Sequence, residues 1–194
     1  MSHARFMGLI GTLLFLVQES AWANPRGGTV VQGSATISGT GTPGVIIQQT
    51  TPSAIINWQS FNIGAGESTR FNQPNAQSVI LNRVTGERAP SSIFGSLTAN
   101  GQVFLVNPEG ILFGPTAQIN TAGFLATTHD IRNEDFMAGR YVFNTPGNPS
   151  ASIVNQGVNA GVIFPRQAGV IFPHFRQQEG PRARGPSCCL ASCF

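Results

Sequence analysis

Between residues 29 and 155 the apolar residues come only in short bursts: Val45-Ile46-Ile47, Ala54-Ile55-Ile56, Val79-Ile80-Leu81, Val103-Phe104-Leu105-Val106, Ile111-Leu112-Phe113 and Gly123-Phe124-Leu125-Ala126. Each burst is of strand length. Between them stand clusters of backbone breakers, such as Gly39-Thr40-Gly41-Thr42-Pro43-Gly44, Gln73-Pro74-Asn75 and Asn107-Pro108-Glu109-Gly110. This alternation predicts a many-stranded all-β protein. The composition agrees, since 23 Gly, 13 Pro and only 10% charged residues exclude a helical bundle or coiled coil. With 41% hydrophobic residues in a chain of 194, a sizeable single core is expected rather than disorder.

Ala117-Gln118-Ile119-Asn120 alternates strictly, whereas residues 103–106 are apolar throughout, which predicts strands covered on both faces. Residues 107–110 are compatible with a hairpin. The bursts at Ile111, Ile119 and Phe124, however, are short and closely spaced, which suits a solenoid whose coils turn corners. Strand-final Asn57, Asn72, Asn82, Asn107, Asn120, Asn144 and Asn155 fit such corners, where Asn tolerates left-handed geometry and can stack its amide with neighbours. Plain turn propensity accounts for them equally well. No strict repeat period is visible, so these patterns leave a β-sandwich open. One helical stretch, residues 130–139, places Asp130 at a capping position and stops at Gly139. Ile131 and Phe136 are five apart and make a poor apolar face, which predicts a short surface helix.

The ends differ from the middle. Arg5, an apolar run over residues 6–17 and the small-residue site Ala21-Trp22-Ala23 read as a secretory signal over residues 1–23, cleaved between Ala23 and Asn24. Twelve helical residues would reach about 18 Å, well short of a hydrocarbon core of about 30 Å, so a membrane span is not expected there. Residues 24–164 carry six Arg and six acids, and four of the remaining Arg lie in the tail, so nucleic-acid binding is not expected. All three cysteines (Cys188, Cys189 and Cys193) lie in the last seven residues, so no disulfide frames the core. Ala-Gly-Val-Ile-Phe-Pro occurs at residues 160–165 and again at 168–173, before an Arg/Gln/Pro stretch. Residues 158–194 thus read as an atypical tail, either a genuine terminal segment or the product of a frameshift or truncation in a longer gene, the latter favoured by its composition.

Chemistry-bearing clusters are sparse. His129-Asp130 and Glu134-Asp135 are the only imidazole or acid clusters, and adjacent acids on a helix point in different directions, so they cap and solvate the helix rather than pair for catalysis. His129 has no second His or Cys at ligand spacing, and no nucleophile elbow or P-loop occurs, so no metal, cofactor or catalytic residue is expected. Arg70, Arg83 and Arg88 are too few and too separated to make a polysaccharide-cleaving β-helix. Trp58, with exposed Asn and Gln, offers a glycan-binding alternative, although it stands beside an apolar burst and is expected in the core.

Residues 53–63 (Ser-Ala-Ile-Ile-Asn-Trp-Gln-Ser-Phe-Asn-Ile), Phe71-Asn72-Gln73-Pro74-Asn75, Leu81-Asn82-Arg83-Val84-Thr85-Gly86, Ser92-Ile93-Phe94-Gly95 and Val106-Asn107-Pro108-Glu109-Gly110-Ile111-Leu112-Phe113-Gly114 appear in order. Together they resemble the N-terminal secretion domain of filamentous haemagglutinin-type exoproteins, the passengers of two-partner secretion. The resemblance spans about residues 24–157. It implies a right-handed parallel β-helix, a single-stranded solenoid with an N-terminal cap and β-elements outside the coil. It also implies recognition in the periplasm by an outer-membrane β-barrel translocator with POTRA domains, and a destination outside a Gram-negative-type cell or on its surface, where glycans or receptors are further candidate partners. The cap is expected at residues 29–38. The family motif Asn-Pro-Asn-Gly-Ile stands here as Asn107, Pro108, Glu109, Gly110 and Ile111, with Glu in place of its second Asn. A second motif has a loose counterpart in Asn72, Pro74 and Asn75. These eight residues are the candidate recognition positions. Family members run on through long repeats, so the resemblance also implies a targeting domain separated from its cargo.

Overall fold

The computed structural model describes residues 22–157 and 175–177. Two short strands, β1 (Thr29–Gln32) and β2 (Ala35–Ser38), open the fold. They are followed by β3 (Gly44–Gln49), β4 (Ser53–Trp58), β5 (Ser68–Asn72), β6 (Val79–Val84), β7 (Ser91–Ile93) and β8 (Ser96–Ala99). Next come β9 (Gln102–Val106), β10 (Ile111–Phe113), β11 (Gln118–Asn120), β12 (Gly123–Thr127), a helix α1 (Asn133–Met137), β13 (Ile153–Asn155) and β14 (Phe175–Gln177). Every apolar burst lies within a strand.

Strands two apart in the first turn and three apart in the later ones pair in parallel, which is the signature of a coil. One face is β4-β6-β9-β12, a second is β3-β5-β8-β11 and a third is β7-β10-β13-β14, all in parallel register. Each turn runs from the second face to the first and then to the third, giving a parallel β-solenoid of about four turns. The hairpin and sandwich alternatives are thereby excluded: residues 107–110 turn a corner between two sheets instead of reversing one strand onto its neighbour. Phe175–Gln177 adds a parallel strand beside β13. Residues 1–21 of the expected leader, the repeated hexapeptides and the cysteines lie outside the described residues.

The cap falls where expected. β1 runs antiparallel on β4 and β2 antiparallel on β3, so the first coil does not present two bare parallel edges to other chains. Between β1 and β2 the chain turns the corner from one sheet to the next at Gly33, whose φ is 73°, and a Cβ there would collide with the Ser53 carbonyl.

Parallel register stacks side chains in columns. Inside the coil stand Ala54, Ile80, Val103 and Phe124, and beside them Ile56, Asn82, Leu105 and Ala126. On the outer side of the same sheet stand Ile55, Leu81, Phe104 and Leu125. That outer column is covered by Ile131 and Phe136, which explains why these strands are apolar on both faces. The short surface helix predicted over 130–139 is therefore corrected in two respects. It spans only Asn133–Met137, and Ile131, just before it, and Phe136, within it, are both buried against the sheet.

The expectation for asparagines holds in part. Asn72, Asn120 and Asn155 end strands, but Asn57 and Asn82 lie within them. Amide stacking is carried by glutamines instead. Buried Gln73 donates through Nε2 to Gln49 Oε1 at 3.0 Å, and Gln49 Nε2 donates to the Thr51 and Val79 carbonyls. At the same corner one turn later, Asn100 exchanges two 2.7 Å hydrogen bonds with the Gln73 backbone. Buried amides that find partners only in register penalise slippage of one coil on the next.

Candidate functional site

The corner between β9 and β10 is built around Asn107. Its Oδ1 accepts the Glu109 backbone N–H at 2.9 Å, closing an Asx turn over Pro108. Its Nδ2 donates to the Ala89 carbonyl and to Ser91 Oγ, both at 3.0 Å, in the preceding coil. Its backbone N–H donates to the Thr127 carbonyl in the following one at 3.1 Å. Asn107 thus ties three coils together and is 1% exposed. Gly110 takes φ 115°, as a turn needing positive φ requires, and Ile111 is buried in the core.

Residues 147–152 lie over this turn. The Asn148 N–H donates to the Pro108 carbonyl at 3.0 Å, Asn148 Nδ2 donates to Glu109 Oε2 at 2.8 Å, and the Ile111 N–H donates to the Ser152 carbonyl at 3.0 Å. A Cβ on Gly110 would stand 2.8 Å from that same carbonyl oxygen. Gly110→Ala is expected to destabilise the purified chain by about 2–3 kcal/mol in urea unfolding, through positive-φ strain and this close approach.

The second candidate corner joins β5 to β6. Asn72 Oδ1 accepts from Arg70 Nε at 3.1 Å. Pro74 and Asn75 are exposed, and Asn75 Oδ1 accepts the Gln77 and Ser78 N–H groups at 3.0 Å each. The two corners lie on different edges of the coil, because one joins the second face to the first and the other joins the first to the third. Asn72, Pro74 and Asn75 therefore do not form one site with residues 107–111. Ala23 and Asn24 lie against the first coils: the Ala23 N–H donates to Glu67 Oε1 at 2.7 Å, and Asn24 Nδ2 donates to the Thr42 carbonyl at 2.9 Å.

Sequence reasoning missed Arg83. It stands on the outer face of β6, with its side chain 9% exposed, and donates from Nε to Asp130 Oδ1 at 2.7 Å. Nη2 donates to the Ile131 carbonyl at 2.7 Å, and Nη1 donates to Asn133 Oδ1 at 2.9 Å. Asp130 therefore holds the segment after β12 to the sheet and does not cap the helix, whose N-cap is Arg132 with no side-chain cap bond. Of the Glu134-Asp135 pair, Asp135 accepts from Arg140 at 2.7 Å. Farther along the same segment Tyr141 packs edge-on to Phe104, and burial pushes its phenol pKa up. An Arg inside a strand-length stretch, between Asn82 and Val84, was the available signal. Trp58, wholly buried, donates from Nε1 to Asn82 Oδ1 at 2.9 Å, so it presents no surface for a sugar.

The chain matches known proteins in both sequence and fold. The family model described as the TPS secretion domain matches residues 21–167. The chain belongs to this family. It is one of non-enzymatic secretion domains belonging to two-partner secretion exoproteins. The solved secretion domain of HMW1 from Haemophilus influenzae superposes with a TM-score of 0.64 at 44% identity, over 69% of this chain and 36% of that one. A heme/hemopexin-binding protein of Haemophilus influenzae strain Rd is 49% identical over 107 residues, which is 55% of this chain. A second protein of that name from Haemophilus influenzae is 42% identical over 119 residues, 61% of this chain. The matched parts are 12% and 13% of those two relatives, so this TPS domain corresponds to a small share of their length. Such exoproteins are secreted by Gram-negative bacteria through a partner outer-membrane transporter.

Proposed function

We propose that this TPS domain is the secretion-targeting segment of a longer exported protein of adhesin type, with residues 1–23 a leader removed after Ala23. In the periplasm the still-unfolded chain is read by an outer-membrane translocator through its POTRA domains, and the coil forms outside the cell. Residues 107–111 are the principal recognition segment, with Asn72, Pro74 and Asn75 a separate contact. The observation that carries this reading is the commitment of Asn107: its side-chain amide is spent on Ala89, Ser91 and Glu109, and residues 147–152 cover the turn. A partner that reads these polar groups has access to them before the coil closes, when an extended, weakly charged segment can add to the edge of another sheet. Coil-by-coil folding outside then biases movement outward, because each new turn stacks on the last.

Asn107→Ala combined with Pro108→Ala is expected to leave the precursor in the periplasm of cells that make the cognate translocator, seen by fractionation and blotting. The same pair should weaken binding of the urea-denatured chain to the translocator's periplasmic domains by tenfold or more. Normal export together with unchanged binding would overturn the assignment. Binding to host or bacterial surface glycans has lost its aromatic platform with Trp58 in the core, and no catalytic role is assigned.

A further inference from the structure

Glu67 is a buried carboxylate whose role the fold leaves unexplained. It is 6% exposed, yet among the described residues its carboxylate is met by two neutral donors only: Oε2 accepts the Gly64 N–H and Oε1 accepts the Ala23 N–H, each at 2.7 Å. Among the described residues no cation pairs with it. Removing a carboxylate from water is costly without a counter-charge. The residue that follows Ala23 is held in place. Asn24 is 2% exposed, its Nδ2 donates to the Thr42 carbonyl at 2.9 Å, and its Oδ1 accepts from the fully buried Thr69 hydroxyl at 3.4 Å. Two residues on, the Arg26 N–H and carbonyl are both bonded to the 59–60 backbone.

We propose that Glu67 is the receptor for the α-amino group that leader removal creates on Asn24; the assignment rests on cleavage between Ala23 and Asn24. Hydrolysis of that peptide bond consumes one water. Ala23 departs with a carboxylate, and the Asn24 nitrogen becomes an amine that takes up a proton at neutral pH. One residue of chain spans at most about 3.6 Å, so the new ammonium starts within that distance of the nitrogen that now bonds Glu67. The clamped side chain keeps it there. The departure of Ala23 removes one neutral donor, and the ammonium replaces it with a charged one. Processing would thus complete the first coils: Glu67 gains its counter-ion only in the mature chain, while the backbone of Glu67 joins its corner to the coil above through the Ser96 N–H.

The chain has no lysine, so its α-amine is the only primary amine a formaldehyde label can take. The exported chain is purified, its N-terminus is read by intact mass, and the amine is reductively methylated with carbon-13 formaldehyde and titrated by NMR. A terminus at Asn24 is expected, with an amine pKa at least about one unit above the ordinary 7.7–8.0, which is a tenfold smaller free-amine fraction at pH 7. The shift should vanish in guanidinium and in Glu67→Gln. A terminus elsewhere refutes the cleavage reading and the pairing with it. A terminus at Asn24 with an ordinary amine pKa in the folded chain refutes the pairing alone, whether or not Glu67→Gln folds.

Discussion

Replacing Trp58 with Ala is expected to lower the unfolding free energy of the purified chain by about 3–5 kcal/mol, at least about a fifth of the stability of an ordinary domain. The ring lies at the end of β4, inside the coil, edge-on to Phe61 with centroids 5.6 Å apart. Its removal opens a cavity among neighbours in two coils. It also strands Asn82 Oδ1, which accepts the indole N–H in a buried column otherwise filled by Ile56, Leu105 and Ala126. Trp58→Phe separates these effects, because it keeps much of the volume but leaves the amide oxygen unpartnered, with an expected cost of about 1–3 kcal/mol. Urea denaturation followed by circular dichroism measures both. A loss below about 1 kcal/mol for Trp58→Ala would show that the ring does not hold the coils together as described.

Arg83→Met is expected to cost about 2–4 kcal/mol, discounted from the full cost of breaking a buried ion pair because Asp130 is 29% exposed. The damage should be local. Losing the guanidinium frees Asp130, Asn133 and the Ile131 carbonyl together, and with them the segment that lays Ile131 and Phe136 over Ile55, Leu81 and Phe104. Hydrogen exchange should therefore rise over residues 130–143 with little change in β9. Asp130→Asn is expected to cost less, since the Ile131 and Asn133 contacts to the guanidinium survive, and the double substitution should show a coupling of about 1–3 kcal/mol. Uniform acceleration of exchange across the coil would contradict the assignment of Arg83 to docking this segment.

Local chemistry carried much of this protein's architecture into view. Bursts of three to four apolar residues between Gly, Pro and Asn clusters locate strands correctly at Val45, Ala54, Val79, Val103, Ile111 and Gly123, because a strand needs only its own residues to be extended and its ends to be broken. Continuous apolar character at residues 103–106 announces burial on both faces, since no solvent-facing side would tolerate it. The turn at 107–110 is legible for the same reason: Pro108 and Gly110 restrict the backbone by themselves.

What the residues could not disclose were the partnerships between coils. Arg83 and Asp130 are 47 positions apart, and Gln49 and Gln73 are 24 apart, so nothing local marks either pair. The helix was misjudged for the same reason: Ile131 and Phe136 make no stripe on a helix, but they do not need one when a sheet covers both from one side. Likewise the two Asn/Pro corners look alike in the chain and lie on different edges of the solenoid. The order of strands, turns and breakers is a property of the sequence alone, because it follows from each residue's backbone preference. Which columns stack, which buried charge meets its partner and which turn is covered were decided by the tertiary structure, because those depend on the coil-to-coil register that brings distant residues within hydrogen-bonding reach.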